Sequence, residues 1–224
     1  MISKSMGYDL QSLLQLPLFL GMGRSELADI EQDVQIGDTH AKRGTILASE
    51  NEECTALVLV ARGTVMASTR SDDHSYQIDE TLQAPLLIQP EHIFGIKQRY
   101  TSTFSAQTYC EVIRIEKPMV LRLMELSMTF RLNLMNIIAT QSQRNSRRLW
   151  HQMSEDIEKR IVRFIKDHCI YPAGQKQLRT KMTVLARELG CSRLEVSEAL
   201  HRLEEKQLLI VRRTIIEIPM LQLL

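Results

Sequence analysis

Aromatic residues are scarce in this chain, with five Phe, five Tyr and one Trp among 224 residues. Leu, Ile, Val and Met must therefore supply most of the core, and a 44% apolar content is ample for one folded domain or two. Cysteines are few and scattered, at Cys54, Cys110, Cys169 and Cys191. None lies at CxxC spacing, which argues against a structural zinc or an iron–sulfur cluster and leaves free thiols as the expectation. The six histidines form no HExxH or HxH set, so no metal site is expected, although a haem ligand among them stays open. No run of about 18 apolar residues and no cationic-then-apolar leader occurs, so neither a membrane span nor secretion is expected, and the cytoplasm is the default location. A paired nucleophile and base and a phosphate-cradling glycine loop are also missing. The chain is expected to have no catalytic residues and not to be an enzyme.

Charge is what the chain distributes unevenly. The net charge is +1, but residues 1 to 116 hold 9 basic and 16 acidic residues, whereas residues 117 to 224 hold 19 and 11. A basic half joined to an acidic half suits a polyanion binder that carries a separate, non-binding domain.

The most informative stretch runs from Lys181 to Ile218. A first helix is expected to open at Thr183, to bury Val184, Leu185, Ala186 and Leu189, and to stop at Gly190, where a sharp turn needs a left-handed residue. A second helix opens at Ser192-Arg193-Leu194-Glu195, a capping box, and carries Val196, Ala199, Leu200 and Leu203 at helical spacing. Small Ala186 lets the helices cross closely, and a hairpin follows. Together these features predict a winged helix-turn-helix, the competing reading being a helical hairpin that packs on something else. With the second helix in a major groove, Arg193, Leu194, Ser197, Glu198 and His201 face the base edges. Arg193 is the candidate for a bidentate guanine contact, Glu198 for a cytosine amine and Leu194 for a thymine methyl. Lys181, Thr183, Ser192, Arg202, Arg212 and Arg213, with Lys176 and Arg179 upstream, are the phosphate candidates; for each charge, a solvated helix face is the alternative.

Toward the N-terminus, residues 11–20 and 25–32 read as short helices. Short strands follow at residues 45–47, 56–60, 63–67, 75–78, 85–88, 104–108 and 111–115, separated by polar or turn residues, which predicts an antiparallel sandwich or roll. After Lys117 the helical period returns. Met128, Leu132, Met135, Ala139, Ser142, Ser146, Leu149 and Met153 recur at alternating spacings of four and three, a heptad stripe able to pack against its own copy. Ser154, followed by Glu155 and Asp156, is expected to cap the next helix, and Tyr171-Pro172-Ala173-Gly174 to end it.

This order of parts resembles the cyclic-AMP receptor protein and fumarate–nitrate regulator superfamily of bacterial transcription factors. The motifs that carry the resemblance are Leu16-Pro17-Leu18-Phe19, Arg43-Gly44-Thr45-Ile46, Ala61-Arg62-Gly63-Thr64-Val65 and Gly190-Cys191-Ser192-Arg193. The resemblance covers nearly the whole chain and implies an α+β protein. Its parts would be a cyclic-nucleotide-binding-like β-roll sensor domain over residues 1–125, a dimerisation helix over 126–153 and a winged helix-turn-helix DNA-binding domain over 154–224. Cyclic-nucleotide binders of that superfamily hold the ligand with a Gly-Glu pair and, about ten residues on, an Arg followed by Ser or Thr. Here Phe94-Gly95 is followed by Ile96, and no Arg-Ser/Thr dipeptide appears between Gln89 and Ser102. A rearranged effector pocket would fall on Glu91, Arg99, Thr101 and Ser102, and cyclic AMP is not expected to be the effector. The cysteine cluster of the iron–sulfur branch is missing as well.

The expectation is a homodimeric, sequence-specific transcription regulator with an unknown effector. Its partners would be pseudo-palindromic double-stranded DNA, a second copy joined through Met128, Leu132, Met135, Ala139, Ser142, Ser146 and Leu149, and RNA polymerase. The alternative is a cyclic-nucleotide-sensor module that acts on a protein partner.

Overall fold

A computed structural model describes residues 13–27, 37–148 and 156–224. The chain packs as two compact units: residues 1–65 with 83–146, and residues 66–82 with 147–224. The second grouping takes a hairpin from the middle of the strand-rich half, which the sequence boundaries at 125 and 153 do not express.

In the first unit, β1 (Gly37–Ala41), β8 (Cys110–Glu116), β3 (Ala56–Arg62) and β6 (Leu86–Ile88) form an antiparallel sheet in that order. The short strands β2 (Ile46–Ala48) and β7 (Thr103–Ala106) pair beside each other. Ala56 to Val60 is an unbroken apolar run because all five residues of this strand are buried, so the usual in-out alternation disappears. Gly63 ends β3 at φ +109°, and a Cβ there would stand 2.6 Å from both the Cys110 Sγ and the Tyr109 carbonyl; the turn accepts only glycine. Residues 14–20 make successive turns, contrary to the expected helix. Leu16, Phe19 and Met22 donate to carbonyls three residues back, and Pro17 has no N–H with which to continue a helix. Residues 24–27 are helical, and the rest of the second expected helix lies outside the described residues.

Helix α1 (Lys117–Leu126) and helix α2 (Met128–Arg148) are separated by Ser127, whose extended backbone interrupts the run. The Ser127 hydroxyl accepts the Phe130 N–H at 3.0 Å and so opens α2 as its cap. Phe130 and Leu134 on one face of α2 are fully buried, with Phe130 against Phe19 at 5.7 Å. The Asn133 side chain donates to the carbonyls of Leu18 and Leu20 and pins the N-terminal turns.

The second unit holds α3 (Ile157–His168), β9 (Lys176–Thr180), α4 (Met182–Leu189), α5 (Arg193–Glu205), β10 (Ile210–Val211) and β11 (Ile215–Ile218). Most of β4 (Thr64–Arg70) and β5 (Tyr76–Gln83) belong to it too, and the sheet there runs β10-β11-β9-β5-β4. Its core joins Ile161 and Ile165 of α3, Leu185 and Leu189 of α4, Val196, Leu200 and Leu203 of α5, and Leu178, Ile216 and Ile218 of the sheet. Ile78 of β5 is part of the same core.

Two caps differ from expectation. Lys181, not Thr183, stands at the N-cap of α4, extended and without a side-chain cap bond, so Thr183 lies inside the first turn. Asp156 caps α3 by accepting the Glu158 N–H at 2.9 Å, two residues after the expected Ser154, which lies outside the described residues. Strands β1 and β9 were not foreseen, because neither carries the alternating apolar pattern that marks a strand exposed on one face.

Candidate nucleic-acid interface and effector pocket

The turn between α4 and α5 is built from local chemistry. Gly190 adopts φ +60°, ψ +42° and closes α4 with hydrogen bonds to the carbonyls of Ala186 and Arg187. The reciprocal capping box then opens α5: the Glu195 N–H reaches the Ser192 hydroxyl at 3.2 Å, and the Ser192 N–H reaches the Glu195 carboxylate at 2.8 Å. The Glu195 carboxyl is held below the usual carboxylate range by these bonds from Ser192. Burial pushes the Cys191 thiol up, so it stays protonated at neutral pH.

Helix α5 has two unlike faces. Val196, Ala199, Leu200 and Leu203 are buried against α3 and α4. Arg193, Leu194, Glu198 and His201 are exposed, and Ser197 is partly so. Leu194 is 68% exposed and is the large apolar side chain on this outward face. His201 also stands 3.7 Å from Glu204.

The phosphate candidates divide. Lys181, Thr183 and Arg213 are exposed beside the helix-turn-helix and on the hairpin turn. The Ser192 hydroxyl is engaged in the cap. Arg202 donates to Glu158 at 2.6 Å, joined there by Lys206 at 2.5 Å, and Arg212 donates to Glu217 at 2.7 Å. Hydrogen bonds from Lys206 and Arg202 hold the Glu158 carboxyl below its ordinary range. Lys176 does not belong among these candidates. Its ammonium is wholly buried and 2.7 Å from the equally buried Glu80, out of reach of any phosphate. Arg179 is likewise engaged, donating to Asp79 at 2.6 Å. The acidic partners Asp79 and Glu80 were missed by sequence reasoning. A signal was present, since acids in the middle of the strand Tyr76–Gln83 call for a basic neighbour strand, and Lys176–Thr180 is one.

In the first unit the effector-pocket candidates take separate partners. Glu91 lies 3.9 Å from the neighbouring His92, and the Arg99 guanidinium donates to the Asn51 carbonyl at 2.6 Å. Thr101 is tied to Gln89, which accepts the Thr101 N–H at 3.0 Å and donates to its hydroxyl at 2.6 Å. Ser102 is buried. Ile96, where a nucleotide binder of the resembled superfamily has Glu, is fully exposed.

The dimer candidates lie on the face of α2 opposite Phe130 and Leu134. Met128, Leu132 and Met135 are exposed, as are Ala139, Ser142 and Ser146, while Leu149 lies outside the described residues. Among the described residues no group of three or more His, Cys, Asp or Glu could hold a metal ion, and no helix is long and apolar enough to cross a membrane.

Comparison with known proteins shows what the chain is similar to. A model of the cyclic nucleotide-binding domain matches residues 38–127. Solved structures similar to the chain include the catabolite activator protein of Thermus thermophilus, at 18% identity and a TM-score of 0.49, covering 90% of this chain and 93% of that one. Another is the c-di-GMP responsive global regulator CLP of Xanthomonas campestris, at 19% and 0.46, covering 86% and 97%. A third is FixK2 of Bradyrhizobium japonicum, at 11% and 0.47, covering 83% and 93%. No curated protein sequence matches the chain. The matched segment coincides with the strand-rich region in which the resemblance placed its sensor, and residues 38–127 are similar to the cyclic nucleotide-binding domain.

Proposed function

We propose that the chain is a sequence-specific, DNA-binding transcription regulator that acts as a homodimer. The observation that carries this reading is the two-faced helix α5: its apolar face is locked into a core by the Gly190 turn and the Ser192–Glu195 box, and Arg193, Leu194, Glu198 and His201 are presented outward. Such a face supplies donors, acceptors and a methyl-matching surface to the major groove, with Arg193 in the first turn, where base edges are met. Lys181 and Thr183 at the start of α4 and Arg213 on the hairpin turn are exposed and available for the backbone. The uncovered apolar face of α2 supports pairing with a second copy, which sets two recognition helices on a pseudo-palindromic site.

The sensor half receives a signal that shifts the population of DNA-competent dimers, and cyclic AMP is not that signal. Two features support its exclusion: Ile96 stands exposed where a ribose-binding carboxylate is required, and Arg99 is spent on the Asn51 carbonyl.

The test is selection of bound sequences from a random DNA pool by the purified protein, with and without cyclic AMP. A palindromic motif enriched without ligand supports the whole reading; a motif that needs cyclic AMP removes the statement about the effector. If no motif is enriched and DNA retention fails to fall steeply between low and moderate salt, the DNA-binding reading is wrong, and contact with a protein partner takes its place.

A further inference from the structure

We propose that the β4–β5 hairpin, residues 66–82, is a working part of the DNA-binding unit, and that its attachment to strand β9 is the step through which the sensor half sets DNA affinity. This rests on the DNA-binding reading of α5 and adds to it the element that controls that site.

The attachment is extensive. Strand β5 pairs antiparallel with β9 over five residues, from Tyr76 opposite Thr180 to Glu80 opposite Lys176. Ile78 enters the core beside α3, α4 and α5, and the Tyr76 ring packs edge-on to Phe164 and His168 at 5.3 and 5.4 Å. Glu80 accepts from Lys176 and from the N–H groups of Ile170 at 2.6 Å and Tyr171 at 3.0 Å, in a site with no solvent access to either charge. At the hairpin tip Asp73 receives the Arg187 guanidinium of α4 at 3.0 Å.

Position gives these contacts consequence. Strand β9 ends at Thr180 and α4 begins at Met182, so the hairpin holds the strand that leads directly into the helix-turn-helix, and through Asp73 it holds α4 as well. Both ends of the hairpin return to the first unit, where the Thr64 hydroxyl donates to Gln83 and the Ala84 N–H donates to the Gly63 carbonyl. The sensor half therefore grips the DNA-binding unit by covalent continuity through both strands of the hairpin.

The buried ion pair makes this a switch as well as a brace. Attached, Glu80 and Lys176 satisfy each other, and a one-residue slip of the pairing would bury an unpaired charge, so the register is fixed. Detached, both charges regain water, so release costs less than the separation of an apolar pair of equal size. The sign follows from the contacts. Asp73, Ser75, Asp79 and Glu80 reach across to β9, α4 and the loop at residues 170–171, and the outward face of α5 stays exposed. The attached hairpin supports the recognition helix and leaves it uncovered, so attachment favours DNA binding.

The experiment uses the full chain on its selected DNA site, with amide hydrogen exchange as a second readout. Glu80→Gln keeps the shape and a carbonyl acceptor but leaves Lys176 unpaired. It should weaken DNA binding about tenfold, within the ~5–150-fold span of typical couplings, and speed exchange in residues 177–180, while circular dichroism keeps its helical content. Adding Lys176→Met to Glu80→Gln removes the stranded charge and should restore most of both. Gln77→Cys with Arg179→Cys, which face each other across the pairing, should restore binding in the Glu80→Gln background when oxidised and not when reduced. Wild-type affinity in Glu80→Gln despite faster exchange overturns the proposal, and so does an oxidised cross-link that fails to rescue. Failure of the underlying reading looks different, because wild type would then show no salt-sensitive DNA binding at all, and the proposal would fall with it.

Discussion

Replacing Ile78 by Ala tests whether the core of the second unit depends on a strand that lies about a hundred residues earlier in the chain. Ile78 is 2% exposed and sits opposite Leu178, which is fully buried. Truncation removes three buried carbons, about 2.4 kcal/mol of transfer free energy at ~0.8 kcal/mol each. The cavity left behind adds to this, since Leu178 belongs to a hydrogen-bonded strand and cannot collapse into the gap, and the total falls within the ~2–5 kcal/mol range of Ile→Ala changes in packed cores. For a unit of under about 100 residues, each kcal/mol lowers the melting temperature by about 4–8 °C, so a loss of 3 kcal/mol shifts it by roughly 12–24 °C. Scanning calorimetry should resolve this in the transition of the second unit, and hydrogen exchange should localise it to β9, α3 and α4. Ile46→Ala, at a position that is 59% exposed on β2, is the control and should move the transition by no more than about 0.5 kcal/mol. A shift of under about 2 °C for Ile78→Ala would refute the claim that β5 completes this core.

Four further outcomes are expected. Arg193→Ala should cost about 1–3 kcal/mol on the specific site and relax preference at one base position in a binding assay, whereas equal loss on all sequences would make Arg193 a phosphate contact. Leu132→Glu with Met135→Glu, on the exposed face of α2, should convert the dimer to monomers by light scattering; an unchanged dimer would place the interface elsewhere. Glu158 has its pKa depressed by Lys206 and Arg202, so its stabilisation is present above the unfolded value near 4.5 and is lost as pH falls through the lower folded value. Melting temperatures of wild type and Glu158→Gln should therefore draw together as pH falls below 4.5, and a gap that does not narrow with acid would contradict the pairing. Titration calorimetry with cyclic AMP should give no heat of tight binding, and a micromolar signal would show that Glu91 and Arg99 rearrange into a site.

Much of the fold was legible because its signals are local. The Gly190 turn, the Ser192–Glu195 box and the buried stripe of α5 each lie within a few residues of their partners, so spacing alone predicts them. Strands β3 to β8 were placed to within a few residues by short apolar runs between turn residues. The errors arose where a partner is distant. Lys176 and Arg179 looked like free cations suited to phosphate, and only the structure supplies Glu80 and Asp79, which neutralise them from 96 and 100 positions away. Arg202 met Glu158, 44 positions away, in the same way, whereas the partner of Arg212 is Glu217, five positions along its own hairpin.

What the sequence determined by itself, then, is most of the elements and the two faces of α5, because hydrophobic period, caps and glycine turns act over one or two helical turns. It also determined the charge asymmetry. What only tertiary structure decided is which strands pair. Whether β5 closes on its own half or joins β9 depends on a buried carboxylate meeting a buried ammonium and on an isoleucine fitting a particular core, and both conditions compare segments that no local rule brings together.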